Sequence, residues 1–211
     1  MATRLVGTTL SVLMLGGTLL LGACSTQKTA DTVQRSEIPT YQVIADYGID
    51  VNNPKALVAS VDYSFVGIVE QEAKTSYKDS VPLEQPNGKT KMMGQAHTHY
   101  KVQVLTNLKN KLVTDHPIAI TKLGGIRKDH SAYDVVKGDA LLKVGKIYVF
   151  NAYAQNDGSL LLSGKNSSVP VTDKSLKTAN ESKTVRVYQD AVNKLSVKER
   201  VVNHKASDGV E

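Results

Sequence analysis

The chain has one cysteine, Cys24, in 211 residues. An internal disulfide is therefore excluded, and a fold in an oxidising compartment must be held by burial instead. Length permits this, because a core of about 100 residues is stable without covalent staples. Catalytic signatures are missing too: no serine stands in a Gly-x-Ser-x-Gly turn, no Gly-x-x-x-x-Gly-Lys phosphate loop is present, and no carboxylate pair is fixed by local spacing. Beyond Leu5 to Leu21, no apolar run is long enough to span a membrane. Together these absences point away from an enzyme with a recognisable reaction and toward a protein that binds.

What surrounds the cysteine is informative. One charge, Arg4, precedes the apolar run Leu5 to Leu21, and the small pair Gly22-Ala23 follows, which is the order of a secretory signal peptide. Leu21-Gly22-Ala23-Cys24 resembles the lipobox of bacterial lipoprotein precursors. That resemblance implies removal of residues 1–23, with Leu21, Gly22 and Ala23 read at cleavage, a diacylglycerol on the Cys24 thiol, and an anchor on the extracytoplasmic face of the cell membrane. Acyl chains partition at ~0.8 kcal/mol per buried CH₂, so two or more hold a chain stably. Two other readings stand beside this one. A plain transmembrane helix is disfavoured by length, since the run would span ~26 Å against ~30 Å of hydrocarbon. An ordinary cleaved signal would leave Cys24 as a chance residue.

The 188 residues from Cys24 onward carry 25 basic and 20 acidic groups, unevenly placed. Residues 24–164 hold 16 and 14, whereas residues 165–205 hold 9 and 4, so the positive excess lies near the C-terminus. The expected organisation is a lipidated N-terminus and polar tether over 24–53, a β domain over 54–171, and a helical segment with tail over 172–211. Ser25 to Glu37 has the composition of a solvated tether, and Ile38 to Asp50 shows no clear period.

Asn53-Pro54 is a helix start, with Asn as cap and Pro in the first turn. Five strand signals follow. Tyr63 to Gln71 is β-branched and aromatic, with Gly67 marking a bend or bulge. His99 to Asn107 alternates, placing Tyr100, Val102 and Val104 on one face. Pro117 to Leu123 is a third strand ending at Gly124-Gly125, and Ile147 to Tyr153 a fourth. The turn Asn156-Asp157-Gly158-Ser159 returns a fifth strand from Leu160 to Ser163. Between them, Ala73 to Ala96 reads as a long excursion and Ile126 to Asp139 as polar loop, with Asp129, Asp134 and Asp139 beside Lys128 and Lys137 as a solvated cluster. The order of Phe65-Val66-Gly67-Ile68-Val69, then Tyr100 to Asn110, then a strand ending Gly-Gly, then Val144-Gly145-Lys146-Ile147-Tyr148 and an Asp-Gly hairpin is similar to netrin-type OB domains. This resemblance implies a mainly β fold, a small five-stranded OB-like barrel with a short N-terminal helix and a C-terminal amphipathic helix. It does not carry over protease inhibition, which in that family uses a disulfide-fixed N-terminal cysteine.

Val185, Tyr188, Val192 and Leu195 share one face of a helix starting near Glu181, and Ser196 with Glu199 forms a capping box for a further short segment. On its exposed side Lys183, Arg186, Lys194, Lys198 and Arg200 are candidate contacts for anionic lipid or cell-wall polymer. His97 and His99 share a strand face, but without a third ligand they read as exposed histidines, and neither a metal nor another cofactor is expected. Nucleic acid is not an expected partner, because Tyr63, Tyr100 and Tyr148 point by alternation to the core rather than to a stacking surface. The function expected is a membrane-anchored, non-enzymatic binding or interaction module. The alternatives are a phage- or plasmid-exclusion lipoprotein and an exported hydrolase.

Overall fold

The computed structural model describes residues 38–84, 88–172, 179–201 and 206. The lipobox, with Cys24, and the tether up to residue 37 lie outside them. The elements are β1 (Thr40–Val43), α1 (Pro54–Ser60), β2 (Tyr63–Glu84), β3 (Thr90–Lys109), β4 (Ile118–Leu123), β5 (Gly125–Ile126), β6 (Tyr133–Val136), β7 (Ile147–Ala154), β8 (Leu160–Leu162), β9 (Ser168–Pro170) and α2 (Lys183–Asn193), with 3-10 turns at Ala179–Glu181 and Lys198–Arg200. The chain is mainly β.

Six strands form one sheet in the order β2-β3-β4-β8-β7-β9. Residues 63–68 of β2 also pair antiparallel with residues 147–152 of β7, so the sheet is partly closed into a ring. The five strands around that ring are the five legible in the sequence. Alternation explains why they close. Tyr148, Phe150, Ala152 and Ala154 of β7 face an inner cluster with Tyr63, Phe65, Tyr100, Val102, Val104, Ile118, Ile120, Leu160 and Leu162. Ile147 and Val149 face the other way, into a second cluster with Val66 and Leu108 of the sheet and the apolar stripes of both helices. β7 is thus buried on both faces, which is why its sequence is almost continuously apolar.

The helices start as their sequences dictate. The Asn53 side chain accepts from the backbone N–H groups of Lys55 and Ala56, at 3.0 and 3.4 Å, with Pro54 opening the helix. The other end of α1 is closed by the buried Lys109, whose amine donates to the carbonyls of Val58 at 2.8 Å and Val61 at 2.6 Å. A cation at the carbonyl end of a helix satisfies both its orphan acceptors and its dipole. Ser182 caps α2 through the Val185 N–H at 3.1 Å. Val185, Tyr188, Val192 and Leu195 are buried against α1 and the sheet, as their spacing requires. Ser196 and Glu199 form the expected box, with the Ser196 N–H and hydroxyl both donating to Glu199 at 2.7 Å. Past α2, Ala206 returns to the inner cluster and its N–H donates to the Tyr63 hydroxyl at 3.2 Å.

Several expectations are corrected. The stretch from Ala73 to Ala96 is no excursion: β2 and β3 continue as a long antiparallel arm, paired as far as Glu84 with Thr90. Its residues between 70 and 78 are exposed or half-buried on both faces, so a backbone ladder, with register shifts at Glu72/Thr75 and Lys78/Val81, holds it without an apolar period. Pro82 is tolerated there because each strand of a two-stranded ribbon keeps one edge free of ladder bonds. The region from Ile126 to Asp139 contains β6, which pairs parallel with β1 and antiparallel with β5 in a separate three-stranded sheet. Residues 168–170 add β9 to the outside of β7. Finally, Asp134 and Asp139 do not belong to a solvated cluster. Asp134 receives a bidentate ion pair from Arg127 at 2.7 and 2.8 Å, and Asp139 is paired to a buried lysine.

Candidate functional site

A concave surface lies where the arm passes the β7–β8 turn. It is a cleft of about 740 Å³ lined by Ser60 and Asp62 after α1, Lys78 of the arm, Tyr153 and Ala154 at the end of β7, and Gln155, Asn156 and Asp157 of the turn. Each wall is fixed by local chemistry. Gly158 takes φ +80°, the conformation that the Asp-Gly pair was expected to supply. The Asp157 carboxylate accepts from the Ser159 N–H at 2.9 Å and its hydroxyl at 2.6 Å. Those bonds, the hydroxyl first, hold the Asp157 carboxyl below its ordinary range, with a smaller contribution from Lys78 across the cleft. The floor is Asp62, buried, whose carboxylate accepts from the Ala154 N–H at 2.9 Å. The Ser60 hydroxyl donates to the Leu57 carbonyl at 2.8 Å, so in its 3.3 Å contact with Tyr153 the phenol is the donor. This leaves the Tyr153 oxygen's lone pairs, the amides of Gln155 and Asn156 and the Lys78 amine as the groups that meet a ligand.

A second polar cluster is buried. Lys122 is 0% exposed, and its three ammonium protons meet three acceptors: Asp139 at 2.8 Å, Ser168 at 3.0 Å and Ser167 at 3.1 Å. Burial pushes the lysine amine below its ordinary value and the Asp139 carboxyl above its own, while their mutual attraction and hydrogen bond oppose both shifts. The pair ties β4 to the segment after β6 and to the start of β9. It borders a pocket of about 430 Å³ whose lining includes Lys143, Lys146 and Tyr148. Lys122 belongs to no motif, yet it shares the parity of Ile118 and Ile120, which face the inner cluster. An inward lysine at the end of a strand was the available signal.

The histidines also differ from expectation. His97 is buried, with Nδ1 3.0 Å from the Gln95 carbonyl oxygen. His99 is half-buried between the hydroxyls of Ser76 at 2.7 Å and Thr121 at 3.1 Å. Its imidazole is held below the usual value, chiefly by burial and then by Lys74, His97 and Lys78. Among the described residues no group of three or more His, Cys, Asp or Glu side chains is arranged to hold a metal ion.

The five cations named from the sequence are all exposed. At 100° per residue, Lys183, Arg186 and Lys194 fall within about 80° of one another, opposite the buried stripe of α2, and Asp190 lies among them. Lys198 and Arg200 belong to the following 3-10 turn. The Arg200 guanidinium is tied to the helix end, donating to the carbonyls of Val192 at 2.9 Å and Asn193 at 3.3 Å, so it closes α2 rather than extending the basic face. No protein-family model matches the chain, and no curated protein matches it.

Proposed function

We propose that this chain is a lipid-anchored extracytoplasmic binding module, an OB-type barrel that takes a neutral, hydroxylated envelope glycan in the cleft between its arm and its β7–β8 turn. The anchor rests on Leu21-Gly22-Ala23-Cys24. The OB reading is supported by the strand order β2-β3-β4-β8-β7 returning to β2, with β4 and β8 parallel in an otherwise antiparallel ring. Small OB barrels bind oligonucleotides or oligosaccharides on the loops between their first and second and between their fourth and fifth strands. Here those connections are the arm and the β7–β8 turn, and the observation that carries the reading is that the 740 Å³ cleft lies between them.

Charge chooses between the two ligand classes. The cleft offers one cation, Lys78, against the carboxylates Asp62 and Asp157, which disfavours a polyanion. Amides, a phenol and an ammonium suit alcohol groups. No hydroxyl in the lining is paired with a free base, since Ser60 is bonded to a carbonyl and Asp62 to a backbone N–H, so binding without turnover is favoured.

Calorimetric titration of soluble envelope oligosaccharides into the mature chain tests this. Asn156→Ala should weaken binding about tenfold, the magnitude of one net hydrogen bond. No heat with any glycan, or equal affinity in a Lys78→Ala/Asn156→Ala variant, would remove the reading. Affinity for single-stranded DNA in its place would favour the exclusion lipoprotein, and glycan cleavage the hydrolase. Loss of acyl-chain incorporation in Cys24→Ala tests the anchor separately.

A further inference from the structure

We infer that the β1 segment, Tyr41 with Val43, Ile44 and Tyr47, is a lipid-facing patch that seats the domain on the membrane holding its anchor. The inference rests on the lipoprotein reading. Among the described residues eight large apolar side chains are exposed, and four of them fall within these seven positions. Ile44 is 79% exposed, Tyr41 53%, Val43 46% and Tyr47 36%. β1 is exposed at every position, so its residues contribute nothing to either core, Tyr41 and Val43 share one face of the strand, and a stretch so dense in exposed apolar residues offers a contact surface.

The occupant is indicated by the short sequence separation between this segment and Cys24. Ile38 is fourteen residues beyond Cys24. Such a length reaches at most about 50 Å even when fully extended. Whatever follows it directly is held close to the bilayer. Covalent linkage at so short a separation raises the local concentration of the segment at the bilayer, so even a weak patch is occupied far more than it would be in free solution.

The chemistry suits the interface rather than the hydrocarbon. Tyrosine is favoured at headgroup depth, where its ring is apolar and its hydroxyl wet. β1 pairs with β6 on one side only, and an open sheet edge is not tolerated in hydrocarbon. Cations border the patch. The Arg127 guanidinium lies 4.8 Å over the Tyr41 ring, and the Lys137 N–H donates to the Val43 carbonyl at 2.8 Å, with its side chain exposed. Tyr47 is fixed in place, its hydroxyl accepting from the Lys165 N–H at 2.9 Å. Opposing them are Asp46 and Asp50 on the same segment and Asp134, which is already paired with Arg127. The balance favours shallow contact with headgroups over deep insertion.

The test uses the full mature lipoprotein in vesicles of phosphatidylethanolamine and phosphatidylglycerol. Acylation blocks Cys24, so an introduced cysteine is the one free thiol. Failure of the wild-type chain to take up a thiol-reactive fluorophore, together with flotation on the vesicles, reports the anchor by itself. A fluorophore on Gln42→Cys, within β1, should be quenched by lipid-borne quenchers several-fold more than one on Asp115→Cys, whose side chain is 82% exposed in the loop before β4. Tyr41→Ser/Ile44→Ser in the Gln42→Cys background should bring its quenching down to the Asp115 level. These side chains are exposed, so the double variant folds. Equal quenching at 42 and 115, or quenching at 42 that survives the double variant, overturns the patch while leaving the anchor intact. A wild-type chain that labels at Cys24 and fails to float overturns the anchor and this inference with it.

Discussion

At the scale of single residues, the most exacting environment belongs to Lys122. Its ammonium has three protons and three acceptors, none replaceable by water, because its side chain and that of Asp139 are 0% and 3% exposed. Removing one member leaves an uncompensated charge in a low-dielectric site, which costs about 3–5 kcal/mol, whereas replacing both by apolar groups is often neutral. Lys122→Ala should therefore lower the urea midpoint sharply. Lys122→Met/Asp139→Leu should recover most of that loss, and a double variant as unstable as the single would show that the pair itself is stabilising. His99 makes a different prediction. Its pKa is lowered in the folded state, so between that value and the unfolded value of about 6.5 the unfolded chain binds more protons. Stability should fall as pH drops from 6.5 through the folded pKa, and His99→Gln should flatten that part of the thermal denaturation profile. An unchanged profile would mean that the hydroxyls of Ser76 and Thr121 accommodate imidazolium as well as imidazole.

Elements were legible where burial imposed a period. The ring strands carry apolar residues at alternate positions, or at almost every position in β7, and α2 repeats Val185, Tyr188, Val192 and Leu195. Residues 70–78 of the arm are exposed or half-buried on both faces and are held by a backbone ladder, so no apolar period marks them. Strands β1, β6 and β9 are three or four residues long, too short to show alternation. Of the candidate cleft, Tyr153 at the end of its strand and the turn residues Asn156 and Asp157 were readable. Lys78 reaches it because the arm extends past the ring, and Asp62 because β2 pairs with β7, both consequences of long-range pairing. Gly67 was legible for its consequence. The ladder shifts register between Val66 and Gly67, and a Cβ there would lie 2.7 Å from a Val102 methyl, 3.0 Å from the Gln103 oxygen and 3.2 Å from the Phe150 ring. Gly67→Ala should cost about 1–3 kcal/mol, the range for overpacking a filled core. The check is equilibrium unfolding, and a change within ~0.5 kcal/mol would mean that the bulge relaxes to admit a methyl.

On the scale of the whole molecule, two surfaces among the described residues bear on the proposed membrane contact, and they differ in physics. The β1 patch is apolar with a cationic border, so contact through it should persist in salt. The outward face of α2 offers Lys183, Arg186 and Lys194, offset by Asp190, so its attraction is electrostatic. Each near-surface cation contributes about 1 kcal/mol at an anionic membrane, which leaves roughly 2 kcal/mol for the net charge of this face, fading within a Debye length of about 8 Å at physiological ionic strength. So small a term is insufficient for stable binding unaided and becomes useful only beside an anchor. A chain lacking residues 1–24 should therefore sediment weakly with phosphatidylglycerol vesicles at about 10 mM salt, where the Debye length is about 30 Å, and detach as salt approaches physiological strength. Lys183→Glu/Lys194→Glu should abolish the low-salt binding and leave binding to neutral vesicles unchanged. Binding to both vesicle types that ignores salt would assign the contact to β1. No binding to anionic vesicles even at low salt would mean that the basic excess of residues 165–205 does not address lipid.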